Sequence, residues 1–127
     1  MSDPVPATQP DATQARPQID MGEFRRAMRE AELEDIIEDL IEAFLQDAPG
    51  RITAIDSAVH SGDAEAIRFA AHAYKSSAAT MYAHQLAGLL RLLELAGGEG
   101  DADRATNLFP QVKEAHDAIM EQLRGEL

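Results

Sequence analysis

What most constrains this chain is the spacing of its apolar residues. Ile37, Leu40, Ile41, Phe44, Leu45, Ala48, Ile52, Ile55 and Val59 follow one another at helical intervals and draw a single stripe. The stripe keeps its face across Pro49-Gly50, so it predicts either one long helix over about 33–60, bent near Pro49, or two helices broken there. Ser61-Gly62-Asp63 is a stop followed by a start, with Gly62 ending one helix and Asp63 capping the next. Ile67, Ala70, Ala71, Tyr74, Ala78 and Met81 then mark a helix over 64–80. Leu86, Leu89, Leu90, Leu93 and Ala96 mark another over 83–95, closed by Gly97-Gly98-Glu99-Gly100. A last stripe, Leu108, Val112, Ala115, Ile119 and Leu123, predicts a helix over 101–124 with a bend at Pro110. Ahead of them all, Asp20 with Glu23 three residues on reads as a capping box for a short helix over 21–29. Short connections make sequential helices antiparallel neighbours. The expected fold is all-α: an antiparallel up-down four-helix bundle with a short extra N-terminal helix.

Residues 1–18 stand apart. They hold four of the six prolines, Pro4, Pro6, Pro10 and Pro17, among small and polar residues. Such a segment buries too little apolar surface to order itself, and it is expected to be a disordered tail before a bundle over 19–127. The chain has no Cys, which removes disulfides and thiolate metal sites. No apolar run approaches the roughly 18–20 residues of a membrane span, and no secretory h-region opens the chain. The expectation is a soluble, cytoplasmic monomer. A net charge of −12 repels phosphate backbones, so nucleic-acid binding is not expected.

The chemistry concentrates in Ala71-His72-Ala73-Tyr74-Lys75-Ser76-Ser77-Ala78. Lys75 and Ser76 lie three and four positions after His72, so the three share one helix face, away from the stripe through Ile67, Ala71, Tyr74 and Ala78. His72 should therefore point outward or lie at the edge of the core. An exposed neutral imidazole nitrogen is a good nucleophile near neutral pH and can carry a phosphoryl group. Lys75 can offset the charge of that group, and a small Ser76 leaves room for another protein's surface.

These residues resemble the signature of the histidine-containing phosphotransfer (HPt) domains of two-component phosphorelays, Ala-His-x-x-Lys-Gly-Ser/Ala-Ser/Ala. The match runs through Ala71-His72, Lys75, Ser77, Ala78, Ala83, Leu86, Leu90 and Leu93-Glu94. Two glycines usual in the family are replaced here, one by Ser76 and one by Tyr82. The resemblance implies a phosphorelay intermediate. His72 would be the phosphoacceptor, taking the group from the aspartate of one receiver domain and passing it to another, with Lys75 and Ser76 beside it. The implied partners are the receiver domains of a hybrid histidine kinase and of a response regulator. No cofactor of the chain's own is implied, Mg²⁺ being expected on the receiver. Four more residues are candidate binding positions. Arg68 lies one turn before His72 and suits an acidic partner pocket. Ser77 and Ala79 follow the motif, and Glu94 matches a Glu/Gln position on the facing helix, where a carboxylate can orient the imidazole or hold Lys75.

Competing chemistries find less support. His60, His84 and His116 fall on different helices or helix ends, without the i,i+4 pairing of a helical zinc site, so no metal site is expected. His84 lacks a lysine at i+3, where Ala87 stands. There is no Gly-x-Ser-x-Gly elbow and no Gly-x-x-x-x-Gly-Lys-Ser/Thr loop. One bundle leaves no room for an ATP-binding domain, so the chain should receive phosphate rather than act as a kinase. The other reading is a helical adaptor, a pseudo-HPt that binds receivers or other signalling proteins without carrying phosphate; Ser76 and Tyr82 are the features that favour it.

Overall fold

The computed structural model describes residues 19–127, and every regular element among them is helical. The helices are α1 (Met21–Glu30), α2 (Ile37–Ser61, entered through a 3₁₀ turn at Glu34–Ile36), α3 (Ala64–Thr80), α4 (His84–Gly98) and α5 (Ala102–Glu126). The expected tail over 1–18 lies outside the described residues. α2 packs on α3 and α5, α3 on α4, and α4 on α5, which closes a four-helix ring. The core holds the residues of the four stripes: Ile41, Ile55, Ile67, Tyr74, Leu86, Leu90, Leu93, Val112, Ile119 and Leu123 are all buried. No helix is long and apolar enough to cross a membrane, among the described residues.

Each boundary has a chemical cause. The carboxylates of Asp20, Asp63 and Asp101 accept from the backbone N–H groups of Glu23, Ala66 and Arg104, capping α1, α3 and α5. Helices α1 to α4 end in one motif: a residue with positive φ (Glu32, Gly62, Tyr82, Gly100), followed by an N–H that reaches back to a carbonyl five residues earlier. The sequence left open whether the segment around Pro49 is one helix or two, and the structure holds one. Pro49 and Pro110 both sit on exposed faces, where the missing N–H burdens no buried partner, and the apolar stripe continues beneath them.

One expectation is corrected. Helix α4 does not stop at 95; it runs on through Gly98, and only Gly100, with φ of 71°, ends it. Gly97 is a packing residue: a Cβ there would lie 2.7 Å from the Ala64 carbonyl oxygen and 2.7 Å from the Arg68 nitrogen. Tyr82, in place of a glycine usual in the family, occupies the left-handed position (φ 61°) of the α3–α4 turn. For a non-glycine residue that conformation costs about 1–2 kcal/mol. The Tyr82 ring packs edge-on against Phe24 of α1 at 6.2 Å, a contact of about 0.5–1.5 kcal/mol that offsets much of it. Glu23 bonded to His84, Arg25 bonded to Glu126, and Ile19 bonded through its backbone N–H and carbonyl to the Gln122 amide complete the attachment. Helix α1 thus covers the end of the bundle where α3 turns into α4 and α5 finishes.

One polar pair interrupts the core. His116 is 5% exposed, and its Nδ1 lies 2.7 Å from the buried Tyr74 hydroxyl. Position 116 falls at i+4 from Val112 and i−3 from Ile119, on the stripe itself, which is the sequence signal for its burial. Burial pushes its pKa below the ordinary 6.5 and pushes the Tyr74 phenol upward. A histidine depressed in this way resists a proton that the unfolded chain accepts. Its contribution to stability is therefore intact above 6.5 and declines as pH falls below that value toward the lower folded pKa. Exposed His60, raised by the Asp56 carbonyl and carboxylate, acts in the opposite sense. Melting temperature should fall between about pH 7 and pH 5. The double variant Tyr74→Phe/His116→Phe should show a flatter slope over that window, and an unchanged slope would exclude His116 as the cause.

Candidate functional site

The seam between α3 and α4 builds the site. Because Gly97 has no side chain, the first turn of α3 lies against the last turn of α4, backbone to backbone. His72 follows Arg68 by one turn on α3, and Glu94 precedes Gly97 by one turn on α4. The close approach therefore sets the distance between an imidazole and a carboxylate 22 residues apart.

His72 Nδ1 lies 2.8 Å from Glu94 Oε2, and Lys75 Nζ lies 2.7 Å from Glu94 Oε1. A carboxylate can only accept, so Nδ1 carries the proton and donates, leaving Nε2 with its lone pair in the neutral ring. The His72 side chain is 59% exposed, against 28% for Lys75 and 20% for Glu94. The imidazole thus stands forward, with Lys75 and Glu94 set back. The Lys75 ammonium, and then the His72 hydrogen bond, hold the Glu94 carboxyl below its ordinary 4.5 against the opposing effect of partial burial. Glu94 is therefore ionised at neutral pH. The Lys75 contact is an ion pair without the alignment of a hydrogen bond, since Oε1 is buried and receives no directed donor.

The remaining candidates fall in distinct places. Ser76 is exposed beside His72, and its hydroxyl turns back to donate to the His72 carbonyl at 3.3 Å, so it presents small volume rather than a free donor. Ala79 is exposed on the same face two turns beyond His72. Arg68 is held by Glu65, its neighbour at i−3, and borders an open groove with Lys75, Arg91 and Glu94. Ser77 is turned away from this group, toward α2, where it lines a cleft with Leu40, Phe44 and Met81. The other histidines are engaged elsewhere: His84 with Glu23, His60 with Asp56 and His116 with Tyr74. Two residues of the face were not singled out from sequence. Arg91 projects from α4 beside Lys75, and Phe69 lies one turn before His72 and is 72% exposed. The signal for Phe69 was a large aromatic off the apolar stripe.

The Hpt domain model matches residues 39–125, and the chain belongs to that family. It is also similar to the crystal structure of histidine-containing phosphotransfer protein B (HptB) from Pseudomonas aeruginosa PAO1, at 29% identity and a TM-score of 0.73, covering 79% of this chain and 87% of that one. No curated protein matches the chain.

The seam can be tested directly. Gly97→Ala places a methyl against rigid backbone, so it should lose about 1–3 kcal/mol in chemical denaturation. The same change should loosen the His72–Glu94 bond and mix the ring tautomers, read from the ring ¹⁵N shifts of His72. Unaltered stability and shifts would mean that the approach of the two helices does not set the site.

Proposed function

We propose that this chain is a phosphorelay intermediate whose phosphoacceptor is His72. Its membership of the Hpt family supports a phosphotransfer role. The single observation that carries the residue assignment is the Glu94 carboxylate bonded to Nδ1 of the exposed His72 ring, which leaves the lone pair of the neutral ring on Nε2. In this reading Nε2 attacks the phosphorus of a receiver's aspartyl phosphate. The new N–P bond forms as the acyl P–O bond breaks, and the aspartate carboxylate leaves with the electron pair. The ring gains positive charge while its Nδ1 proton stays hydrogen-bonded to Glu94, which stabilises the developing imidazolium. Lys75 faces the incoming charge. The reverse reaction returns the group to the aspartate of a second receiver, so the loading of the partners sets the direction.

The receivers of a hybrid histidine kinase and of a response regulator are the proposed partners, and the Mg²⁺ of the reaction is expected on the receiver. Ser76 keeps the approach to the ring open. Arg68, Ala79 and Arg91 surround it, whereas Ser77 belongs to the α2 side. In a chain of net charge −12, the cations clustered here offer an acidic receiver pocket its favourable side.

His72→Gln should take up no acid-labile label from receivers charged with acetyl phosphate, while its melting temperature stays close to the parent's, because the exposed ring makes no core contact. Label that persisted, or moved to His84, would refute the assignment. Receiver binding without any labelling of the parent protein would favour the adaptor reading instead.

Lys75→Ala and Glu94→Ala should act on rate. Each removes one electrostatic stabiliser, a loss on the order of 10²-fold in strong cases, read by single-turnover transfer. Glu94→Ala should do more, since it releases both the ring and the ammonium. Equal, parental rates in both variants would reduce the triad to a surface ion pair.

A further inference from the structure

The face around His72 has two unlike sides. Toward α2 it is apolar, with Phe69 beside an open groove. Toward α4 it carries three cations, Arg68, Lys75 and Arg91, and these are held in different ways. The Lys75 ammonium is bound to Glu94, the carboxylate that also orients the ring. Pulling it away would strand a partly buried carboxylate without its cation, so Lys75 is fixed in place. Side chains on a helix lean toward its N-terminus, so the His72 ring overlies the turn of α3 that carries Arg68. Arg91, on the antiparallel α4, leans toward the α3–α4 turn instead.

Arg68 is placed to move. It precedes His72 by four residues, about 5–6 Å between Cβ atoms. Its stem crosses a bare stretch of α4, where a Cβ on Gly98 would stand 3.7 Å from Arg68 Cδ. Its guanidinium donates through Nε and a terminal nitrogen to the two oxygens of Glu65, on its own helix. The two side chains are 41% and 75% exposed, and a pair so open to water contributes little. The Glu94 carboxylate across the seam adds to the field that favours the charged guanidinium.

We propose that Arg68 is an exchangeable phosphoryl clamp: when His72 carries the phosphoryl group, the guanidinium leaves Glu65 and closes on two of its oxygens. This inference rests on the phosphotransfer reading. Charge and geometry both favour the exchange. A phosphoryl group brings more negative charge than one carboxylate, and it has three acceptor oxygens. Two of them present the same edge that the guanidinium fork meets in Glu65. Lys75 stays on Glu94 throughout, so the ring keeps its Nδ1 proton while the clamp closes. The clamp acts on a phosphorylated end state. It therefore sets how much phosphate rests on His72 rather than on the receiver, and Glu65, by competing for Arg68, lowers that amount.

The test reads an equilibrium, because a contact made only inside the complex cannot shift the balance between two separated proteins. Full-length protein is mixed with a purified receiver domain charged with acetyl phosphate and freed of the donor, both kept too dilute to remain in complex. Label on each protein is read once transfer has equilibrated and before hydrolysis drains it. Arg68→Ala should move the balance toward the receiver by about threefold to tenfold. Arg68→Lys should recover only part of this, because an ammonium lacks the fork. Glu65→Gln should move the balance the other way, toward His72. In the parent, the Arg68 Nε resonance should shift on phosphorylation, and the shift should be absent from His72→Gln. An unshifted balance in Arg68→Ala would overturn the clamp even if transfer slowed, since that pattern belongs to a docking contact. Losses of the same sign in Arg68→Ala and Glu65→Gln would also overturn it, by making the ion pair a support for the helix. The phosphotransfer reading fails differently: the parent then takes no label on His72, and the clamp falls with it.

Discussion

The backbone contact at Gly97 is the constraint on which the site depends. Helices carrying ordinary side chains pack with axes about 8–10 Å apart. A glycine set against the Ala64 carbonyl and the Arg68 nitrogen lets the two helices close further at that point. One turn away on each helix stand His72 and Glu94, and their 2.8 Å bond exists because the seam is narrow there. A carboxylate bonded to one ring nitrogen decides the tautomer of the ring. The same carboxylate carries the Lys75 ammonium on its other oxygen. Three side chains thereby act as one unit, with Glu94 common to both interactions.

The rest of the bundle holds that unit still while leaving its tip free. Tyr74, two residues after His72, points the opposite way, into the core, where it meets Phe44, His116 and the surrounding apolar stripes. Burial of Ile67, Ala71, Tyr74 and Ala78 pins α3 along its length, so the exposed ring rides on a helix with little freedom of its own. Side chains mounted on packed helices keep their geometry better than side chains on loops. The strained Tyr82 turn and helix α1 lie at one end of the bundle, and the site faces solvent midway along it.

The division between an ionic and an apolar side of the His72 face follows from the neighbours of α3. Helix α4 contributes Arg91 and Glu94 to the rim of the seam, while Leu86, Leu90 and Leu93 of the same helix fill the core. Helix α2 contributes Gly50 and Ala54, which are too small to fill the space beside Phe69. The asymmetry is therefore a property of helix order around the ring, not of α3 alone.

Local pattern was enough for much of this protein. Helical spacing determined the buried faces of the helices, and it turned His72 and Lys75 outward, because burial of a face is written at every third or fourth position. The Asp20, Asp63 and Gly62 boundaries were equally local, since caps and left-handed turns are decided by a few neighbouring residues. Pro49 was ambiguous because a proline's effect depends on whether packing beneath it continues, and that is a tertiary matter. Gly97 looked like a terminator in one dimension and proved to be a contact, because the Ala64 carbonyl that requires it belongs to another helix. The Glu94 bridge, the burial of His116 against Tyr74, the Phe24 contact that steadies Tyr82, and the groove beside Phe69 all join residues far apart in the chain. Only the register of one helix against the next brings such groups within reach, and that register is set by the packing of the whole ring.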